Sequence, residues 1–207
     1  GLWAYRRAAA DLPPDSVSSA PVLEPATPRE GSTLDRTPKM YLGGRQVRPD
    51  GGYSRSISAA NGSLLGEVGE GNRKDVRNAV EAAHAGSAWG SAGAHLRAQV
   101  LYFLAENLEA RAKEFSARLT DSTGKNGKAE VEASIRRLFT YAGWCDKFEG
   151  TAHQAPVNRI VLAMPEPVGV FGIICPDESP LLSMVSLLLP VIAMGNTAIL
   201  VPSERNP

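Results

Sequence analysis

Apolar and polar positions alternate along the chain in distinct textures. Between residues 11 and 38 there is almost no apolar periodicity. Pro13, Pro14, Pro21, Pro25, Pro28 and Pro38 sit among Ser, Ala and acidic residues. Such a stretch buries too little surface to offset its ordering entropy and is expected to be a disordered linker. Order is expected from Lys39. "MYLGGRQV" and "YSRSISAA" read as short strands with Gly-rich turns, and "NGS" at Asn61–Ser63 marks a tight turn before "LLGEVGEG". Helical spacing follows. Asn72 and Asp75 form a capping pair ahead of Val76, Ala79, Val80 and Ala83. A second helix from Ala94 aligns Leu96, Val100, Phe103, Leu104 and Leu108. Phe115 and Leu119 continue into a helix that ends in "TGKNGK", with Gly124 expected in the left-handed conformation. A further helix near Ala129 groups Val131, Ile135, Leu138, Phe139 and Ala142.

Past Gly150 the texture changes. "VGVFGII" is a short continuous apolar run, "PLLSMVSLLLPVIAM" is a helix without a polar face, and "NTAILVPSE" is another apolar strand. Strand, buried helix and strand, with both strands apolar on two faces, predict a parallel βαβ unit. Ligands of such sheets sit at the carboxyl ends of the strands. "CPDES" and "PSERN" are those ends, so Asp177 and Glu178 fall where an α/β protein holds a ligand.

Charge and composition narrow the classes. The 207 residues carry 22 basic and 22 acidic side chains, a net charge of zero with no basic stripe for nucleic acid. The apolar run from Leu181 is too short for a membrane span and breaks at Gly195-Asn196-Thr197. Cys145 and Cys175 match no metal-ligand spacing and read as buried reduced thiols of a cytoplasmic protein. Residues 1–10, "GLWAYRRAAA", lack an initiator Met and an apolar leader core, and read as part of a longer chain.

Residue chemistry alone is sparse. Adjacent side chains on extended backbone point in opposite directions, so Asp177 and Glu178 are not expected to cooperate as acid and base. They read as a solvated loop. Neither strand is followed by Gly-x-Gly-x-x-Gly, "TGKNGK" lacks phosphate-loop spacing, and there is no Gly-x-Ser-x-Gly elbow. Cys175 holds the best nucleophile position but has no neighbouring base in sequence.

Residues 166–207, "EPVGVFGIICPDESPLLSMVSLLLPVIAMGNTAILVPSERNP", resemble the signature stretch of the aldehyde dehydrogenase superfamily, which runs E-P-V-G-V, G-x-I-x-P-W-N-F-P-L, a long apolar helix, G-N-T and L-K-P-(A/S)-E. "YAGWCDKFEG", "GEVGEGNRKDVRNAVEAA" and "YLGGR" follow the same family order upstream. The resemblance implies an α/β fold: the N-terminal part of the aldehyde dehydrogenase fold, with a β-hairpin, a helical layer and the start of a doubly wound parallel sheet, incomplete. It implies three segments: residues 1–10 as the end of a preceding copy, 11–38 as the Pro-rich linker, and 39–207 as the N-terminal half of a cofactor-binding domain. It implies NAD(P) as cofactor. Ile174 and Pro176 would lie beside it, and Glu204 matches the acid that binds the adenosine ribose.

The chain departs from the family pattern: Asp177 and Glu178 stand where it has Trp and Asn, and Val201 stands where it has Lys. Glu178 occupies the place of the Asn that donates to the oxyanion of the thiohemiacetal, and losing one such donor costs roughly 3–4 kcal/mol of transition-state stabilisation. Val201 replaces the Lys that shares the ribose, a loss of roughly 10- to 150-fold in affinity. The family's nucleophilic Cys and general-base Glu match nothing up to Pro207. The chain alone is therefore expected to be inactive, with no catalytic residue and no metal site. The expected role is a non-catalytic scaffold that engages other protein chains or itself, without nucleic acid or membrane. Apolar surface exposed along Leu181–Leu200 would drive that association. Two alternatives stand beside it: part of an active NAD(P)-dependent aldehyde dehydrogenase, and a helical interaction module with a membrane-anchoring hairpin at 181–202.

Overall fold

The computed structural model describes residues 38–148 and 150–207. The segments assigned above to a preceding copy (1–10) and to all but the last residue of the linker (11–37) lie outside the described residues.

Two antiparallel hairpins come first. β1 (Met40–Leu42) pairs with β2 (Arg45–Val47), and Gly43 and Gly44 supply the positive φ angles, 56° and 80°, of the two-residue turn. β3 (Ser54–Ser58) pairs with β4 (Leu64–Gly69) in a register from Ser54↔Gly69 to Ser58↔Leu64. Their turn is held by Asn61 Oδ1, which accepts from the Ser63 amide at 2.9 Å.

Helix α1 (Arg73–Ala85) opens on a full capping box. Asn72 accepts from the Lys74 and Asp75 amides, and Asp75 accepts from the Asn72 amide. The Asp75 carboxylate, buried at 4% exposure, also accepts from the Asp50 amide and so fastens the preceding loop. A 3-10 turn (Gly86–Ser91) leads to α2 (Ala94–Ala110), α3 (Ala112–Thr123) and α4 (Gly127–Trp144). Gly124 ends α3 with φ 68°, as its place in "TGKNGK" predicts. Gly127 has a different reason to be glycine: a Cβ there would lie 2.3 Å from the Ser116 carbonyl oxygen, so α3 and α4 meet backbone to backbone.

The core lies where α2, α4 and α5 (Pro180–Ala193) converge. Ala98, Leu101 and Ala105 meet Leu138, Ala142 and Cys145, with Val185, Leu189 and Ala193 from α5. The alanines bring the helix axes close, and Leu101 and Leu189 fill what remains. This corrects the expected face of α2. The buried side is Ala98–Leu101–Ala105, with Leu108 of the expected row packed against it, whereas Leu96, Val100, Phe103 and Leu104 are exposed. On α4 the buried row is Val131, Ser134, Leu138 and Ala142, and Phe139 lies outside it. The expected α4 face is therefore right at Val131, Leu138 and Ala142, whereas on α2 bulky apolar residues lie on the side away from the core.

A short hairpin, β5 (Thr151–His153) with β6 (Val161–Ala163), precedes the parallel unit. β7 (Val170–Ile174) and β8 (Thr197–Val201) pair in parallel from Val170↔Thr197 to Ile174↔Val201, joined through α5. Asn196 sets their start: its side chain accepts from the Gly169 amide at 2.8 Å and donates to the Val191 carbonyl at 3.3 Å. The expected βαβ unit is present. A membrane-anchoring hairpin at 181–202 is not, since those residues form one 14-residue helix and a parallel strand. Among the described residues no helix is long and apolar enough to cross a membrane. Nor does Leu181–Leu200 form the expected exposed surface; it is mostly half-buried, with Leu187 the exception.

Candidate functional site

The site is built on the carboxyl ends of β7 and β8. The Cys175 amide donates to the Val201 carbonyl at 2.9 Å, carrying the parallel pairing to the edge of both loops. Beyond it, Asp177 turns toward the β8 loop. Its Oδ1 accepts from the Ser203 hydroxyl at 2.7 Å and from the Arg205 amide at 3.4 Å, and its Oδ2 lies 3.6 Å from Arg205 Nε. The Ser203 hydroxyl, followed by the Arg205 amide, holds the Asp177 carboxyl below its ordinary value. Ser203 is 2% exposed and accepts in turn from the Asn206 amide at 3.1 Å. Asp177 is thus a latch between the two strand ends.

Glu178 is exposed, and its carbonyl accepts from the Ser183 hydroxyl at 2.8 Å. Among the described residues its carboxylate makes no hydrogen bond or ion pair. The two neighbouring acids therefore do not act together. Ser179 next to them adopts φ 49°, the left-handed region that non-glycine residues rarely enter. This turn aims the chain into α5.

The first turn of α5 is closed to anions. Pro180 has no amide hydrogen, the Ser183 amide bonds Ser179, and Glu130 Oε1 on α4 accepts from Leu181 at 2.8 Å and Leu182 at 3.1 Å. At the other end the Ile192 and Ala193 carbonyls accept from Trp89 Nε1 at 2.8 Å and Arg97 Nε at 2.9 Å. Sequence reasoning did not find Glu130, Ser203 or Arg97, because each partner lies 26 to 96 residues away.

Cys175 is buried, and burial pushes its thiol above the ordinary range. Burial does the same for Cys145, with Asp146 adding to it against Arg97. Neither is poised as a nucleophile. Among the described residues no cluster of three or more His, Cys, Asp or Glu is arranged to hold a metal ion.

Ile174, at 80% exposure, and Val201, at 48%, form an apolar shelf at the strand ends, with Pro176 beside it. The Glu204 side chain stands out at 84% exposure, its Oε1 3.7 Å from Arg55 Nη1. A shelf with an accessible acceptor fits the adenosine end of a dinucleotide, where an acid takes a ribose hydroxyl.

The model of the aldehyde dehydrogenase family matches residues 47–207. The chain belongs to that family. Rat (Rattus norvegicus) retinaldehyde dehydrogenase 3 is 34% identical over 195 residues, a match covering 88% of this chain and 38% of the rat protein. Mouse (Mus musculus) cytosolic 10-formyltetrahydrofolate dehydrogenase is 32% identical over 187 residues, covering 84% of this chain and 21% of its own length. A Staphylococcus aureus betaine aldehyde dehydrogenase solved with NAD+ superposes with a TM-score of 0.79 at 25% identity, covering 83% of this chain and 36% of that one. PnpE, solved with nicotinamide adenine dinucleotide, superposes equally well at 28% identity, with the same coverage. The chain spans two fifths or less of the length of these proteins, and its fold is part of that of the two solved structures: hairpins, a helical layer and one parallel βαβ unit.

Proposed function

We propose that the chain is part of an altered aldehyde dehydrogenase copy whose role is to scaffold an assembly in the cytoplasm, with other protein chains or further copies of itself as partners. The observation that carries this reading is Glu178. It stands where the family pattern places a donor for the oxyanion, and its carboxylate is an acceptor, exposed and without a hydrogen-bonding partner among the described residues. An acceptor of negative charge beside a developing oxyanion opposes the transition state. Residues 1–10 would end a preceding copy and 11–38 would link it to 39–207, the tandem arrangement of aldehyde dehydrogenase family 16 member A1.

In this reading Ile174, Pro176 and Glu204 would hold the adenosine end of NAD(P) weakly, because Val201 offers no donor. The cofactor, when bound, supplies the hydride acceptor for aldehyde oxidation. The test is aldehyde-dependent NAD(P)H formation by the parent protein with any preceding copy inactivated. No turnover is expected, and turnover at ordinary family rates would sink the scaffold reading. A second reading, part of a working NAD(P)-dependent aldehyde dehydrogenase, is favoured by the accessible Glu204 carboxylate. It expects Glu178→Asn with Val201→Lys to change turnover little, and a large gain from that pair would count against it.

A further inference from the structure

Val201 removes a cation from the end of β8, yet the fold brings another to the same loop. Arg55 leaves β3, 149 residues away in sequence, and its Nη1 donates to the Glu204 carbonyl at 2.7 Å. The same nitrogen lies 3.7 Å from Glu204 Oε1, and the two side chains are 37% and 84% exposed. A guanidinium carries five N–H donors in a rigid fork. The carbonyl bond anchors one of them, and the rest of the fork stays within reach of an incoming anion.

At the strand ends of dinucleotide-binding α/β units, a lone acid takes the ribose 2′-hydroxyl, whereas a nearby Arg accommodates a 2′-phosphate. Here the acid and an Arg reaching in from β3 meet at one loop. We infer that Arg55 makes the β7–β8 face selective for an adenosine bearing a 2′-phosphate, as in NADP, over the unphosphorylated form. This rests on the reading that these strand ends face a dinucleotide. The ion pair to Glu204 does not block the exchange, because a dianionic phosphate forms shorter and stronger charge-assisted bonds to the fork than a solvated carboxylate at 3.7 Å. The backbone bond keeps Arg55 in place as its outer nitrogens turn to the ligand.

The test is calorimetric titration of the chain with 5′-AMP and 2′,5′-ADP, then with NAD and NADP. The 2′-phosphorylated ligand of each pair should bind at least about tenfold more tightly, with the advantage growing as salt is lowered. Arg55→Met should abolish the preference, Arg55→Lys should restore part of it, and Glu204→Gln should widen it. Equal affinities in the native chain, or a preference that survives Arg55→Met, overturn the role of Arg55 while leaving a nucleotide face at the strand ends. Absence of heat with all four ligands overturns both.

Discussion

Glu130 caps a helix to which it does not belong, and this makes a sharp prediction. The N-terminus of a helix leaves amides without intrahelical partners. In α5 the proline at 180 removes one, and Leu181 and Leu182 give theirs to Glu130 Oε1 at 2.8 and 3.1 Å. Ser179 makes no side-chain cap of its own. Glu130→Ala therefore strips the helix of its acceptor and of the negative charge that complements its dipole. A hydrogen bond to a charged group contributes roughly 1.5–3 kcal/mol, and water regains part of the loss at this half-buried position, so about 1.5–3 kcal/mol is expected for the pair together. For a chain of this size that is a fall in melting temperature of about 3–12 °C. Glu130→Gln keeps an acceptor without the charge and should lie between the two. Thermal unfolding followed by circular dichroism reads the shift, and hydrogen exchange at the Leu181 and Leu182 amides reports its place. A Glu130→Ala chain that melts within about 1 °C of the native one, with those amides equally protected, would refute the reasoning.

Other outcomes follow from the same structure. The depressed Asp177 carboxyl contributes stability that is present above its unfolded value, 3.8, and is lost as pH falls through the lower folded value. A carbon-detected NMR titration should find its midpoint below 3.8, moving up in Ser203→Ala; a native midpoint at or above 3.8 would show that the latch does not form. Both thiols are buried and shifted upward, so alkylation at neutral pH should wait for unfolding, and rapid labelling of Cys175 in the folded chain would contradict its placement. Gly127→Ala should destabilise by about 1–3 kcal/mol or more, because its Cβ meets backbone on α3; a neutral melting curve would mean that the two helices are further apart than described.

What the sequence made legible was local. The Asn72 capping box, the Gly124 stop and the parallel unit all depend on residues a few positions apart or on one continuous apolar run. The α2 face was not legible, since Leu96, Val100, Phe103 and Leu104 outweigh Ala98 and Ala105 in any apolar count, yet the alanines are buried because they let helices approach. At the site, the strand ends could be placed from the pattern and the family motif. Their cross-links could not. Ser203 reaching Asp177, Glu130 reaching α5 and Arg55 reaching Glu204 are pairings that neither periodicity nor motif encodes.

The latch at Asp177 makes the two departures in this loop unequal in reversibility. An exchange at Glu178 alters an exposed side chain whose carboxylate holds nothing in place among the described residues, so a family-like Asn can return there at little structural cost. An exchange at Asp177 strands the Ser203 hydroxyl, almost wholly buried, without its acceptor, and releases Arg205. The loop has thus grown a dependence on one of its acids and not on the other. A path back toward the family motif is open at the second position and obstructed at the first.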